Sequence, residues 1–249
     1  MIFETKTYRN SFSKERFQSF VITYKDSDLW IAVDHASFKE EMAEVASQKL
    51  AVVFDELEAY LAEDSFFKKS LKPCAAKEDA PGMIRQLAAF AEKAGVGPMA
   101  GVSGMFIECV GQELLSQFKI VELIVEKDSE LFVKLQNPLI VSIFADDLDN
   151  SGLMGLEIFP EQTPAGIGTG LASRGKPINY GKAQSVMILG SNAAYASALA
   201  VGAGNRLKKP ADLNKALKEL EQIPEVAAAV FMMEDQLAVH GENELKLIF

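Results

Sequence analysis

Apolar positions cluster in two short runs near the start, residues 18–24 (QSFVITY) and 29–33 (LWIAV), both rich in β-branched and aromatic side chains. Both segments read as strands, joined by the turn-forming cluster Lys25-Asp26-Ser27-Asp28. The period then lengthens. Phe38, Met42, Val45, Ala46, Leu50, Val53, Leu57 and Leu61 recur at intervals of three and four, which predicts an amphipathic helix over 38–62 with Ser37 as its N-cap. A polar loop through Lys77, Glu78 and Asp79 follows. Pro81 then opens a second helix, GMIRQLAAFAEKA, which Gly95 terminates as a C-cap. A third helix starts at once, with Pro98 in its first turn and the small-residue run MAGVSGMFIECVG behind it.

The second half changes character. Residues 120–126, 130–135, 139–145, 153–159 and 185–190 read as strands joined by polar turns. Residues 192–203 form an alanine-rich helix and 211–221 a charged amphipathic one. Short strands over 226–232, 236–239 and 245–248 complete the chain. Helices cluster in two places without regular βαβ alternation, so the expected class is α+β: a mainly antiparallel sheet packed with helices. No repeat, low-complexity tract or linker interrupts the sequence, and one domain over residues 1–249 is the economical organisation.

Composition narrows the function classes. The chain is 49% hydrophobic and 24% charged, ordinary for a globular protein, and carries a net charge of −10. That charge argues against nucleic-acid or anionic-membrane partners, both of which need clustered Lys and Arg. The N-terminus lacks a basic segment followed by an apolar one, as a signal peptide would have. The apolar run over 96–107 is far shorter than the roughly 20 residues of a membrane span. Cys74 and Cys109 form no CxxC and have no neighbouring His pair, which disfavours zinc and suits a reducing cytosol. A cytoplasmic protein is expected.

Two glycine-rich segments are the leading candidates for a site. Gly95-Val-Gly-Pro-Met-Ala100 superficially matches a dinucleotide fingerprint, but a helix precedes it where a strand is required. Two readings remain open. Helix-start N–H groups there suit an anion, and the small residues Gly97, Ala100, Gly101 and Gly104 equally suit close helix packing. The second block, Gly166-Ile-Gly-Thr-Gly-Leu-Ala-Ser-Arg-Gly175, joins backbone freedom, hydroxyls and a guanidinium as a phosphate- or carboxylate-binding loop would. A flexible connection is its alternative. Asp147-Leu-Asp-Asn-Ser-Gly152 opens like a calcium loop, but its twelfth position would be Ile158, so an ordinary turn is expected. His35 and His240 have no recognisable nucleophile partner, and Cys109 sits in apolar surroundings that raise a thiol pKa.

Several blocks together resemble one family. Ser27-Asp28-Leu29, Ser70-Leu-Lys-Pro73, Ala80-Pro81, and above all Ala94-Gly-Val-Gly-Pro-Met-Ala-Gly-Val-Ser-Gly104 resemble cytosolic ApbE-like proteins. The match continues through 166–186 and 191–205. The family is similar to the FAD:protein FMN transferases, and the resemblance implies their T-fold-like α+β architecture. It also implies a site between sheet and small-residue helices that holds a flavin or a related anionic small molecule. Carried over position by position, the implied ligand-binding residues are Asp28, Gly97, Pro98, Met99, Ser103, Thr169, Ser173, Arg174, Lys176, Ser191 and Asn205. The resemblance further implies a link to anaerobic sulfur assimilation towards homocysteine.

Departures from the family pattern shape the expectation. The transferases take an aspartate and a threonine from a helix written ADALAT to hold magnesium; the matching stretch here is Ala196-Ser-Ala-Leu-Ala-Val201, with Ser197 and Val201 at those positions. Neither supplies a carboxylate, so no metal is expected. Lys176 stands where the family carries histidine, Gln184 replaces an aspartate, and Val125-Glu-Lys-Asp-Ser-Glu130 replaces VENGGD. The expectation is a cytosolic protein that binds an anionic metabolite or flavin-like molecule, with no catalytic residue assigned and a homodimer as its assembly. The alternatives are a divergent FAD:protein FMN transferase and an enzyme of sulfur transfer.

Overall fold

A computed structural model describes residues 15–143, 153–170 and 181–248. In chain order these form β1 (Phe17–Tyr24), β2 (Ser27–Asp34), α1 (Glu41–Glu63), α2 (Ser65–Lys69), α3 (Gly82–Ala94), α4 (Val102–Gln117), β3 (Leu123–Lys127), β4 (Glu130–Lys134), β5 (Leu139–Ser142), β6 (Leu153–Ile158), β7 (Ala165–Thr169), β8 (Ser185–Gly190), α5 (Ala193–Arg206), α6 (Leu213–Leu220), β9 (Val226–Met233), β10 (Gln236–His240) and β11 (Leu245–Ile248). A 3₁₀ turn, Pro98–Gly101, leads directly into α4.

Eight strands form one sheet in the order β1-β2-β3-β4-β7-β8-β9-β10, and every pairing in it is antiparallel. Strands β11-β6-β5 form a second antiparallel sheet. The mixed α+β class with an antiparallel sheet is therefore as expected.

Side-chain alternation explains the layering, because successive residues on a strand face opposite ways. On β2, Leu29, Ile31 and Val33 join a core with α1, α3 and α4, while Trp30 and Ala32 join a core with β5 and β6. On β8, Val186 and Ile188 pack with α5 and α6, while Met187 and Leu189 turn to the small sheet. Helices thus cover one face of the large sheet, and the small sheet covers the other. Strands buried on both faces need apolar residues at nearly every position, which is why these segments show little polar alternation.

Several local expectations hold. Gly95 ends α3 in the left-handed region (φ 70°), its N–H bonded to the carbonyls of Ala91 and Glu92. The first helix, however, begins at Glu41, and its N-cap residue, Glu40, makes no side-chain cap. Ser37 holds a loop instead, its hydroxyl accepting from the Val121 N–H at 3.0 Å while its own N–H donates to Asp34 Oδ2 at 2.9 Å. No single described helix is long and apolar enough to cross a membrane. The calcium-like segment 147–152 lies outside the described residues.

The largest departure is β7. Gly166 and Gly168, read from sequence as part of a ligand loop, lie inside a central strand between β4 and β8. A Cβ at Gly166 would stand 2.1 Å from Ala193 Cα, and one at Gly168 2.2 Å from Ala196 C. Glycine here lets the backbone of α5 rest directly on the strand. Ala165 and Ile167, on the opposite face, are buried against the small sheet.

Candidate functional site

The segment joining α3 to α4 has two unlike sides. On one, Gly101 and Gly104 meet the first turn of α5; a Cβ at Gly104 would stand 2.3 Å from Ala193 O. All of α5 from Ala193 to Gly204 is buried, so small residues on both helices form a tight seam. Glu108, further along α4, accepts the Ala193 N–H at 2.7 Å and so fills the N-terminus of α5 with a carboxylate from the chain itself. Burial pushes the Glu108 carboxyl above its ordinary value, outweighing that hydrogen bond and one from Gln112.

On the other side, Met99, Val102 and Phe106 face α1 across a cleft of about 570 Å³. Its walls include Phe54, Leu57 and Leu61 of α1, the β1–β2 turn residues Lys25, Asp26 and Ser27, Lys68 of α2, and Lys127 at the end of β3. Phe54 and Phe106 stack with ring centroids 5.7 Å apart. The volume falls within the ~300–1,000 Å³ usual for small-molecule sites, and the lining mixes apolar walls with charged groups.

The charges are unevenly engaged. Lys25, held in the left-handed region (φ 52°), binds both Asp55 and Glu58, and those carboxylates raise its pKa. It is thereby largely neutralised. Lys127 lies 3.3 Å from Asp128, which also accepts a hydrogen bond from the Ser103 hydroxyl at Oδ2, at 3.1 Å. Lys68 is exposed at the rim. The lining carries three lysines against Asp26 and Glu58, and Asp55 and Asp128 balance Lys25 and Lys127 from just outside it, so its positive character rests on Lys68. Ser27, which lines the cleft and is 2% exposed, has a hydroxyl with no hydrogen-bond partner among the described residues.

The residues singled out from sequence separate into groups. Met99 lines the cleft, and Ser103 adjoins it through Asp128. Asp28 follows Ser27 on β2, paired in register with Thr23. Gly97 and Pro98 are packed: a Cβ at Gly97 would fall 1.9 Å from Ser70 O, and Pro98 is buried. Thr169 ends β7 opposite Met187. Ser191 is exposed, with its N–H donated to Glu225 O at 2.9 Å. Asn205 lies on the last turn of α5. Ser191 precedes α5 and Asn205 lies on its last turn, so the two stand toward opposite ends of a helix of 14 residues, about 20 Å at 1.5 Å per residue. Ser173, Arg174 and Lys176 lie outside the described residues.

Ser197 and Val201 are the residues that the sequence resemblance sets against the transferases' magnesium ligands. Ser197 is fully buried, its Oγ 3.0 Å from Ala100 O and 2.8 Å from Glu130 Oε1, so the three oxygens close on each other. Val201 adds an isopropyl group. A hard cation prefers carboxylate oxygens; Ser197 and Val201 supply none, and the carboxylate beside Ser197 is that of Glu130. Among the described residues no group of three His, Cys, Asp or Glu side chains could hold a metal.

The family described as "AbpE bacteria" matches residues 9–236. The chain belongs to this family. Among its relatives, a UPF0280 protein of Methanocella arvoryzae is 35% identical over 186 residues, covering 75% of each chain. A UPF0280 protein of Methanosarcina barkeri is 24% identical, covering 92% of this chain and 87% of its own. The fold is shared with solved ApbE structures. The apo flavinyl transferase ApbE of Pseudomonas stutzeri aligns with TM-score 0.57 at 12% identity, over 90% of this chain and 93% of that one. The ApbE protein of Thermotoga maritima aligns with TM-score 0.53 at 11% identity, over 91% and 97%.

Sequence reasoning missed Ser27, Lys68, Lys127, Phe54 and Phe106 as lining residues. Ser27 reads as turn chemistry, the phenylalanines as helix-core positions and the lysines as solvated charges. Only the folded chain brings them together.

Proposed function

We propose that this ApbE-family protein binds an anionic, ring-bearing small molecule of the flavin mononucleotide kind in the cleft between α1 and α4, without magnesium-dependent flavin transfer. The observation that carries the reading is the meeting of aromatic and apolar walls with lysines in one cleft. A planar ring suits the Phe54, Phe106 and Met99 walls, and a phosphate or carboxylate suits Lys68 and Lys127. When bound, a flavin would supply a redox-active ring; Phe54, Phe106 and Met99 would hold that ring and the two lysines its phosphate. The lack of a carboxylate at Ser197 and Val201 supports the second half of the proposal, because cleavage of a pyrophosphate needs its developing charge neutralised by an ion these two side chains do not hold.

The test is a thermal-shift screen of the protein against FMN, FAD, nucleotides and sulfur amino acids, repeated with Lys68→Ala/Lys127→Ala. Stabilisation by a ring-bearing anion, unaffected by EDTA and reduced in the double variant, is the expected result. No stabilisation by any anionic compound would overturn the binding reading. Magnesium-dependent flavinylation of an acceptor protein would overturn the exclusion of transfer.

A further inference from the structure

Among the polar residues lining the α1–α4 cleft, Ser27 is the most deeply buried, at 2% exposure, yet its hydroxyl makes no hydrogen bond with any described residue. A buried hydroxyl normally finds a partner, because leaving it unsatisfied forfeits the bonds it made with water. Alanine or valine would suit a merely structural position at the start of β2. Secondary structure does not require the hydroxyl either: Ser27 pairs with Tyr24 as one residue of the β1–β2 ladder.

We propose that Ser27 is a ligand-recognition residue whose hydroxyl donates to a neutral acceptor, a ring carbonyl oxygen of the bound molecule. This assignment rests on the cleft's being the ligand site. The chemistry of the lining selects the acceptor. Ser27, Lys68 and Lys127 all offer N–H or O–H donors. Of the two carboxylates at the cleft, Glu58 is engaged by Lys25 and Asp26 is exposed at the turn. A ligand rich in acceptors is therefore matched and one rich in donors is not. Lys68, exposed at the rim, and Lys127 take the anionic end, and the buried Ser27 hydroxyl meets the ring. A charged group beside Ser27 would be poorly compensated by one neutral donor, whereas a carbonyl oxygen needs a single donor, which Ser27 supplies.

Titration calorimetry with FMN, which carries ring carbonyls and a phosphate, and phenyl phosphate, which carries a ring and a phosphate alone, tests the assignment in wild type and Ser27→Ala. Ser27→Ala is expected to weaken FMN binding about tenfold, the value of one hydrogen bond, and to leave phenyl phosphate unchanged. The unliganded variant is expected to unfold at the same urea concentration as wild type or a higher one, since it buries no unsatisfied hydroxyl. Equal FMN affinity in the two proteins would overturn the Ser27 assignment while the cleft stands. A variant that loses stability and weakens both ligands alike would show a structural role and overturn it too. Wild-type protein that binds neither compound would remove the cleft reading, and the Ser27 assignment with it.

Discussion

The two sides of the α3–α4 segment use the same stretch of chain for opposite purposes. Toward α5, Gly101 and Gly104 give up their side chains so that two backbones touch. Toward α1, Met99, Val102 and Phe106 keep theirs and leave a cleft. Glycine-rich sequence invites a ligand, yet here the glycines close the structure and the larger residues beside them line its opening. The same holds at Gly166 and Gly168, which seat α5 on β7.

Substitution should separate the two sides, and the seam should respond most. Gly104→Val puts a branched side chain where even a Cβ lies 2.3 Å from a backbone carbonyl that cannot rotate away. The expected loss is about 3 kcal/mol or more in urea unfolding, enough to remove much of an ordinary domain's stability. A Gly104→Val protein of wild-type stability that fails to bind ligand would reverse the comparison, making the seam the site.

Next comes Lys127→Ala, on the cleft. Its unfolding free energy is expected to change by less than about 1 kcal/mol, since the Asp128 pair is only partly buried. Binding of FMN should weaken several-fold and lose part of its salt dependence. Unchanged binding measured by calorimetry at low salt would place the anion elsewhere.

A smaller effect is expected at Glu108→Gln, which keeps an acceptor for the Ala193 N–H. Burial raises the Glu108 carboxyl pKa in the folded protein. A raised carboxyl favours folding when protonated, so its contribution is fully present below the ordinary carboxylate pKa and is lost as pH rises through the folded value. The stability of wild type relative to Glu108→Gln should therefore decline between pH 4 and pH 7, and the variant should match wild type within about 1 kcal/mol at neutral pH. Smallest of all, the Cys109 thiol, pushed up to about 11 chiefly by burial, should alkylate slowly with iodoacetamide at pH 7.5 in the folded protein and readily in urea.

Much of the framework was legible in the chain because its signals are local. Strands β1 and β2, helix α3 with its Gly95 cap, and the Pro98 turn all announce themselves within a few residues. Strand β7 was hidden because two of its five residues are glycine, which erases alternation on the face that α5 covers. Helix α2 is a single short turn, set by Asp64 Oδ1 accepting from Phe67 N and by burial of Phe67, signals too brief for periodicity. The candidate site was legible only in part. Met99 and Ser103 fall at or beside the cleft, whereas Ser191 and Asn205 flank α5 at opposite ends. Ser27, Phe54 and Lys127 meet only through long-range folding, and no spacing rule connects them.

Amide chemical-shift mapping of the isotopically labelled protein during an FMN titration tests most directly whether ligand is held in the cleft and not at the glycine seam. Perturbations are predicted to centre on Ser27, Met99, Val102, Phe106 and Lys127. Perturbations centred instead on Gly166, Gly168, Ser191 and Asn205, with those five amides unmoved, would contradict it.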